Sequence, residues 1–340
     1  MQMMDSPELV ILDVGHGNCS VLIDTKGTII VDCADCSILT EFLELRKISQ
    51  IEHILVSHAD RDHIEGITCL LFDKTIKIQN IYVNPDPSKK DTATWAEFRL
   101  AISDAMVRGT QVSTNLTSSL TGSLDVGEVK VEVLAPSPAQ ALGGVGGKEV
   151  IVSSNRQRQL TSNSLSAVIG LVHNSHRTVI LAGDTEQIGL DDLLANNPDI
   201  KASILVFPHH GGRPSSAEPK TFAQKFCNHV SPKLLIFSNA RGGSGNPRED
   251  IVQGIKLDVP DVHIVCTQLS KKCSDITDNL NFSHLSDLPS EGGKDSKCCG
   301  GSLSILLNGA ETCTPEKFAP HRGFVDTLTA TALCRKTFSV

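Results

Sequence analysis

Ile51-Glu52-His53-Ile54-Leu55-Val56-Ser57-His58-Ala59-Asp60-Arg61-Asp62-His63 is the stretch on which the reading turns. It opens with an apolar run, Ile51–Ser57, of the length and β-branched content expected for a buried strand. It then delivers His58, Asp60, Asp62 and His63, four metal-ligand types, within six residues. A tight turn at the strand end is expected to converge them. Neutral His nitrogen and Asp oxygen together suit Zn or Mn.

Two later stretches repeat the design. The apolar strand Thr178–Ala182 ends at Gly183-Asp184, and Ser203–Phe207 ends at Pro208-His209-His210-Gly211-Gly212. Each puts a ligand-type residue at a strand terminus, where side chains of adjacent strands can meet in one cleft. Upstream, Val10–Val14, Cys19–Asp24 and Thr28–Asp32 read as short strands, and Ser37–Lys47 as a helix. Downstream follow strands at Ile78–Val83, Asp125–Leu134, Leu165–Val172, Lys233–Phe237, His263–Cys266 and Ser302–Leu307. Helices are expected over Asp91–Val107, Ile188–Leu194, Pro219–Cys227 and Arg248–Ile255. Residues 137–162 read as a Gly- and Ser-rich loop and 271–299 as a polar insertion. Hairpins early and strand–helix alternation late predict an α+β fold: two packed mixed sheets with outer helices, an αββα sandwich.

Composition narrows the function. Of 340 residues 40% are hydrophobic and 21% charged, which excludes a largely disordered chain and a polytopic membrane protein. Aromatic residues make up only 4%, so stacking platforms for bases are not expected. The net charge of −8 argues against broad, salt-driven coating of nucleic acid. Met1–Val14 lacks a basic segment followed by a long apolar stretch, so no leader is expected. No run approaches the roughly 18 apolar residues of a membrane span. Eleven cysteines, an odd count, then read as reduced cytoplasmic thiols. The spacing of Cys273, Cys298, Cys299, Cys313 and His284 matches no regular zinc pattern. The pair Cys33 and Cys36 reads as core and surface thiols.

The order His58-x-Asp60-x-Asp62-His63, Gly183-Asp184, Pro208-His209-His210-Gly211 resembles the metallo-β-lactamase superfamily, and most closely the hydrolase domain of ComEC-type DNA-uptake proteins. Leu12-Asp13-Val14-Gly15-His16-Gly17-Asn18 resembles that branch's LDVGQGD signature, with His16 and Asn18 departing from it. Ile30-Val31-Asp32, Asn163-Ser164-Leu165-Ser166, His209 through Ser216, Ser238 with Gly245-Asn246-Pro247, and Thr267 with Gly301–Gly309 match further motifs. The resemblance spans about 9–309. It implies one metallo-β-lactamase-like domain over 1–310, interrupted by the insertion at 271–299, and a weakly structured tail over 311–340. The channel portions of ComEC proteins are absent from this sequence.

The resemblance also implies two divalent metal ions, Zn or Mn. His58 and Asp60 would hold one. Asp62, His63 and one of His209 or His210 would hold the other, and Asp184 would bridge them. Such metals lower the pKa of a shared water from about 15.7 toward 7. Asp62 and Asp184 are the catalytic candidates. Asp13 and Asp32 are expected to support ligand side chains from behind. Asp60 departs from the pattern, which usually has His there. It shifts the site toward Mn or a more electron-rich Zn, or leaves one position weak or empty. His173 reads as a turn residue, so Asn163 is the better-placed substitute for a missing family His.

A phosphodiester substrate, in a nucleic acid or nucleotide, follows from the resemblance. Asn163, Ser164, Gly211, Ser215 and Ser238 would donate to phosphate oxygens, and Arg156, Arg158 and Arg213 would supply charge. The alternatives are a hydrolase of the same fold acting on a non-phosphate ester, lactone or thioester, or a largely non-catalytic interaction subunit. Residues 271–340 are the expected surface for a protein partner. No membrane association is expected.

Overall fold

The computed structural model describes residues 6–149, 158–215, 217–242, 245–278, 280–328, 332–336 and 338. Two sheets pack face to face. The first takes β1 (Glu8–Ile11), β2 (Cys19–Asp24), β3 (Gly27–Cys33), β4 (Gln50–Val56), β5 (Lys77–Val83) and β6 (Gln111–Ser113). The second takes β7 (Lys130–Ala135), β8 (Val168–His173), β9 (His176–Leu181), β10 (Ile204–Val206), β11 (Leu234–Phe237) and β12 (His263–Cys266). The last strand, β13 (Leu303–Leu306), returns to the first sheet beside β1, giving the orders β13-β1-β2-β3-β4-β5-β6 and β12-β11-β10-β9-β8-β7.

The pattern of buried residues explains the layering. Strands β3, β4, β9 and β10 are covered on both faces and read as nearly continuous apolar runs, as strands sandwiched between two layers must. Leu9, Leu22, Ile29 and Leu55 of the first sheet meet Val131, Ile169, Val179 and Ile236 of the second in the central core. On the outer face of the first sheet lie α1 (Cys36–Arg46), α2 (Arg61–Phe72) and α3 (Ala93–Val107). A short helix, α4 (Pro138–Gly143), sits within the stretch read as loop. On the outer face of the second sheet lie α5 (Gln187–Asn196), α6 (Pro219–Val230) and α7 (Glu249–Asp258). This is the αββα sandwich expected from the sequence.

Three readings need correction. The His/Asp cluster is not one tight turn: Asp62 and His63 form the first turn of α2, with Asp60 as its N-cap residue. The short apolar spacing of α2 was hidden behind the ligand residues. The described residues beyond Glu311 are structured, contrary to the expectation of a weakly structured tail. Helix α8 (Ala319–Thr327) and the turn at Leu333–Arg335 bury Phe324, Val325, Leu328 and Leu333 against the second sheet's outer core. Cys36 is no free thiol. Its sulfur is bonded to that of Cys69, tying α1 to α2.

The described part of the insertion has one short 3-10 turn, Gly292–Asp295, as its regular element. Asp13 accepts hydrogen bonds from Ser290 Oγ, Gly292 N and Gln268 Nε2, which pins residues 290–292 to the end of β1. Among the described residues, no helix is long and apolar enough to cross a membrane.

Candidate metal centre

Strands β3, β4 and β5 run parallel, as do β9, β10 and β11. Parallel strands send their carboxyl ends to one edge, and side chains on the loops that follow can converge there. Asp32 closes β3, His58 to His63 follow β4, Asp184 follows β9, His209 and His210 follow β10, and Ser238 follows β11.

The backbone is bent to make this meeting possible. Asp32, His209 and His210 all have left-handed φ, at 57°, 56° and 53°. Each such non-glycine residue costs on the order of 1 kcal/mol, and two in succession are a sign that the surroundings impose the conformation. Gly17, at φ 125°, lets the β1–β2 loop touch α2: a Cβ there would stand 2.3 Å from the Asp62 carbonyl.

Asp62, His63, Asp184 and His210 each present one donor atom, and all four lie within 4.8 Å of one another. His63 Nε2 is 3.3 Å and His210 Nε2 3.5 Å from Asp184 Oδ1, while His210 Nε2 is 3.2 Å from Asp62 Oδ2. The far side of each imidazole is fixed. His63 Nδ1 sits 2.8 Å from Asp32 Oδ2, and His210 Nδ1 donates to the Ser238 carbonyl at 2.8 Å. Asp32 also accepts from Ser57 N and Ser57 Oγ. The buried atoms His58 Nε2, His63 Nε2, His210 Nε2 and Asp184 Oδ1 have no hydrogen-bond partner. Burying four polar atoms unpaired costs roughly 1–3 kcal/mol each. A divalent cation held by Asp62, His63, Asp184 and His210 would satisfy three of them, and one beside His58 the fourth, so the residues present fit the metals that the resemblance implies.

A second set lies beside the first. His58 Nε2 is 3.8 Å from Asp60 Oδ2 and 3.9 Å from Asp184 Oδ2. His58 Nδ1 rests 3.1 Å from Ser57 Oγ. Asp60 Oδ1 faces the Lys89 ammonium at 2.6 Å and accepts from Ser162 Oγ at 3.2 Å.

The ionisation of these groups follows from crowding. Burial pushes the Asp184 carboxyl up, but His210 and His63 beside it hold it well below the usual carboxylate range. Burial likewise opposes charge on His63, yet Asp184 and Asp32 on either side leave it well above an ordinary imidazole. Asp62 is lowered, in spite of its burial, by the imidazoles of His210 and His63 beside it. His58 is lowered, by burial first and His63 second.

The two neighbouring histidines differ in role. His210 points its Nε2 at the carboxylates, whereas His209 stands outside them with Nδ1 3.0 Å from Asp184 Oδ2 and its ring partly open to solvent. Asp13 touches none of the candidate ligands. It grips the insertion and the β1–β2 loop, accepting from Gly15 N.

Several residues assigned to substrate lie elsewhere or are engaged. Arg158 is locked in ion pairs with Glu149 and Asp191. Ser164 Oγ bonds within its own turn to Thr161. Ser215 gives its N–H and hydroxyl to Glu186, and Ser238 Oγ donates to the Gly17 carbonyl. Gly211 is packed against Phe237 and Pro247. Asn163 starts the turn just after Ser162, and Arg213 is exposed. Arg156 lies outside the described residues. His173 is on β8, 3.7 Å from Glu128.

Two site residues escaped the sequence reading. His16 places Nε2 3.4 Å from Asp62 Oδ2 and its ring 4.7 Å from that of His210. Burial, then the charge of His210, lowers its pKa. Its signal was the departure from Gln in the Gly15-His16-Gly17 turn. Lys89 sits on the loop after β5, and the strand-end placement that nominated the other loops also applies to it.

The chain is similar to several known proteins. ComE operon protein 3 of Bacillus subtilis (strain 168) is 24% identical over 274 residues, which is 72% of this chain and 30% of that protein. This chain therefore corresponds to under a third of that relative's length. Among solved structures, the metallo-beta-lactamase fold protein YhfI from Bacillus subtilis is 13% identical with a TM-score of 0.45, covering 77% of this chain and 96% of that one. Igni18, a metallo hydrolase from Ignicoccus hospitalis KIN4/I, is 12% identical with a TM-score of 0.42, covering 76% and 94%. The family model of the metallo-beta-lactamase superfamily matches residues 12–86, the span from the β1 end through the His/Asp cluster to Asp86, and over that span the chain is similar to that superfamily.

Proposed function

We propose that the chain is a metal-dependent phosphodiesterase acting on a nucleic acid or nucleotide. The observation that carries the metal-dependent hydrolase part is the set of four donors, from Asp62, His63, Asp184 and His210, gathered within 4.8 Å. A divalent cation bound there supplies Lewis acidity and lowers the pKa of water to the neutral range.

The protein's own part is positioning. Asp32 holds the His63 ring by Nδ1 so that Nε2 faces inward, and the Ser238 carbonyl does the same for His210. Asp184 stands between the two donor sets and would be shared by them. Asp62, on the first turn of α2, lies toward solvent and can orient an attacking water. His209 keeps the outer oxygen of Asp184 fixed. Metal identity, Zn or Mn, follows from a donor set of two or three imidazoles and two or three carboxylates, which suits both.

The phosphodiester reading rests on the motif resemblance to ComEC-type hydrolase domains and on the exposed cation Arg213, which follows the His209-His210 pair. It draws nothing from Arg158, whose charge is consumed. The test is a panel of single-stranded DNA, RNA, dinucleotides and bis-p-nitrophenyl phosphate, with protein loaded with Mn or Zn. Cleavage by the wild type and a loss of about 10²-fold or more in Asp184→Ala are expected. Hydrolysis of carboxylic esters or thioesters with every phosphodiester left intact would overturn the reading.

A further inference from the structure

The two donor sets are unlike in one respect: a lysine is built into one of them. After β5 the chain turns through Pro85-Asp86-Pro87-Ser88-Lys89. Asp86 is buried and caps the turn, accepting from Ser88 N and Ser88 Oγ. Its other oxygen accepts from Ser162 Oγ, which also reaches Asp60 Oδ1. The turn therefore fixes Lys89 where its ammonium stands 2.6 Å from Asp60 Oδ1. Both partners are about three-quarters shielded from solvent, so the charge is only partly screened.

We propose that Lys89 makes the two cation positions unequal, so that the Asp62–His63–Asp184–His210 position fills first and the His58–Asp60–Asp184 position fills only at higher metal concentration. Three arguments support this. Asp60 Oδ1 is already neutralised by an ammonium, which lowers the electron density that Asp60 Oδ2 offers a metal. A divalent cation placed between His58 Nε2 and Asp60 Oδ2 would also stand close to the ammonium and be repelled by it. The first position's carboxylates, Asp32, Asp62 and Asp184, pair with no lysine or arginine among the described residues, their partners being the imidazoles of His16, His58, His63, His209 and His210.

This inference rests on the reading of the site as a metal centre and not on the substrate. Its test is therefore metal binding. The full chain, stripped with a chelator, is titrated with Mn2+ against a competing fluorescent chelator, and the paired-ion spectrum is followed by electron paramagnetic resonance. The wild type is expected to show two affinity classes. In Lys89→Met the weaker class should tighten by roughly tenfold or more, the scale on which one adjacent charge moves a buried carboxylate's proton affinity. The tighter class should stay unchanged, and Lys89→Arg should behave as wild type. Circular dichroism confirms that the variants are folded. Two equal ions in the wild type, or a weaker class that Lys89→Met leaves unchanged, would overturn the role of Lys89 while leaving the metal centre standing. No Mn2+ binding in any of the proteins would sink the metal-centre reading as well.

Discussion

The molecule has two nests of histidine, and they are built on opposite terms. In the cleft, His58 and His63 lie 4.0 Å apart and His63 and His210 5.7 Å, yet their Nε2 atoms bond to nothing. Behind β12, His263, His284 and His321 gather as closely, with ring separations of 5.1 and 5.8 Å. There most of the polar atoms find one another, His284 Nδ1 being the one buried ring nitrogen of the three left unpaired. His263 Nε2 meets His321 Nδ1 at 3.0 Å, His321 Nε2 meets Cys299 Sγ at 3.2 Å, and His284 Nε2 donates to the Cys299 carbonyl at 2.6 Å. Phe318 stacks on His263 and Phe324 on His284. Composition alone cannot tell these nests apart. Unsatisfied inward-facing donors mark the one that needs a ligand, and paired donors mark the one that serves packing.

The sharpest break between them comes from the packing nest. Phe324→Ala removes a buried ring that joins α8 to the insertion, and should cost about 3–5 kcal/mol in urea unfolding. Metal content of the folded fraction should not change. A loss of bound metal without loss of stability would mean that the nests are coupled.

Asp32→Asn asks the opposite question in the cleft. It keeps the shape but weakens the hold on His63 Nδ1, so metal affinity should fall by about 10–100-fold. Competition with a chelator measures it. An unchanged affinity would show that Asp32 supports the strand end and not the ligand.

The pH response separates them next. Burial and His321 push His263 down to about 3. A depressed histidine stays neutral in the folded chain while the unfolded chain takes up a proton near pH 6.5. Stability is therefore full above that pH and declines as pH falls from about 6.5 toward 3. With a discount for partial exposure, the loss between pH 7 and pH 5.5 should be about 1 kcal/mol in metal-free protein. His263→Phe should flatten the part of that slope that His263 contributes. The same slope in both proteins would place the pH sensitivity elsewhere.

The smallest effect is expected for Arg158→Ala. Its ion pairs with Glu149 and Asp191 are partly exposed and contribute under about 1 kcal/mol. KM for a phosphodiester should not move. A rise in KM would restore Arg158 to the substrate, which its present pairing denies.

Much of the site was legible because its ligands follow apolar strands in sequence. His58, Asp60, Asp62, His63, Asp184, His209 and His210 are all within a few residues of a strand end, and a parallel sheet delivers such ends to one edge. The choice between His209 and His210 was not legible. It depends on two successive left-handed residues that turn one ring inward and leave the other outside. Lys89 and His16 were missed because neither belongs to a cluster in the sequence. Arg158 looked free because the partners that neutralise it, Glu149 and Asp191, come from separate segments.

The sequence by itself determined the layers, through the period and length of its apolar runs, and the inventory of metal ligands, through their position after strands. Both are local properties, carried by neighbouring residues. Only the tertiary structure decided which donors remain unpaired, that helix α8 and the turn at Leu333–Arg335 pack into the core, and that an ammonium shares the carboxylate of Asp60. Those are matters of distance between segments far apart in the chain, and local pattern holds no record of them.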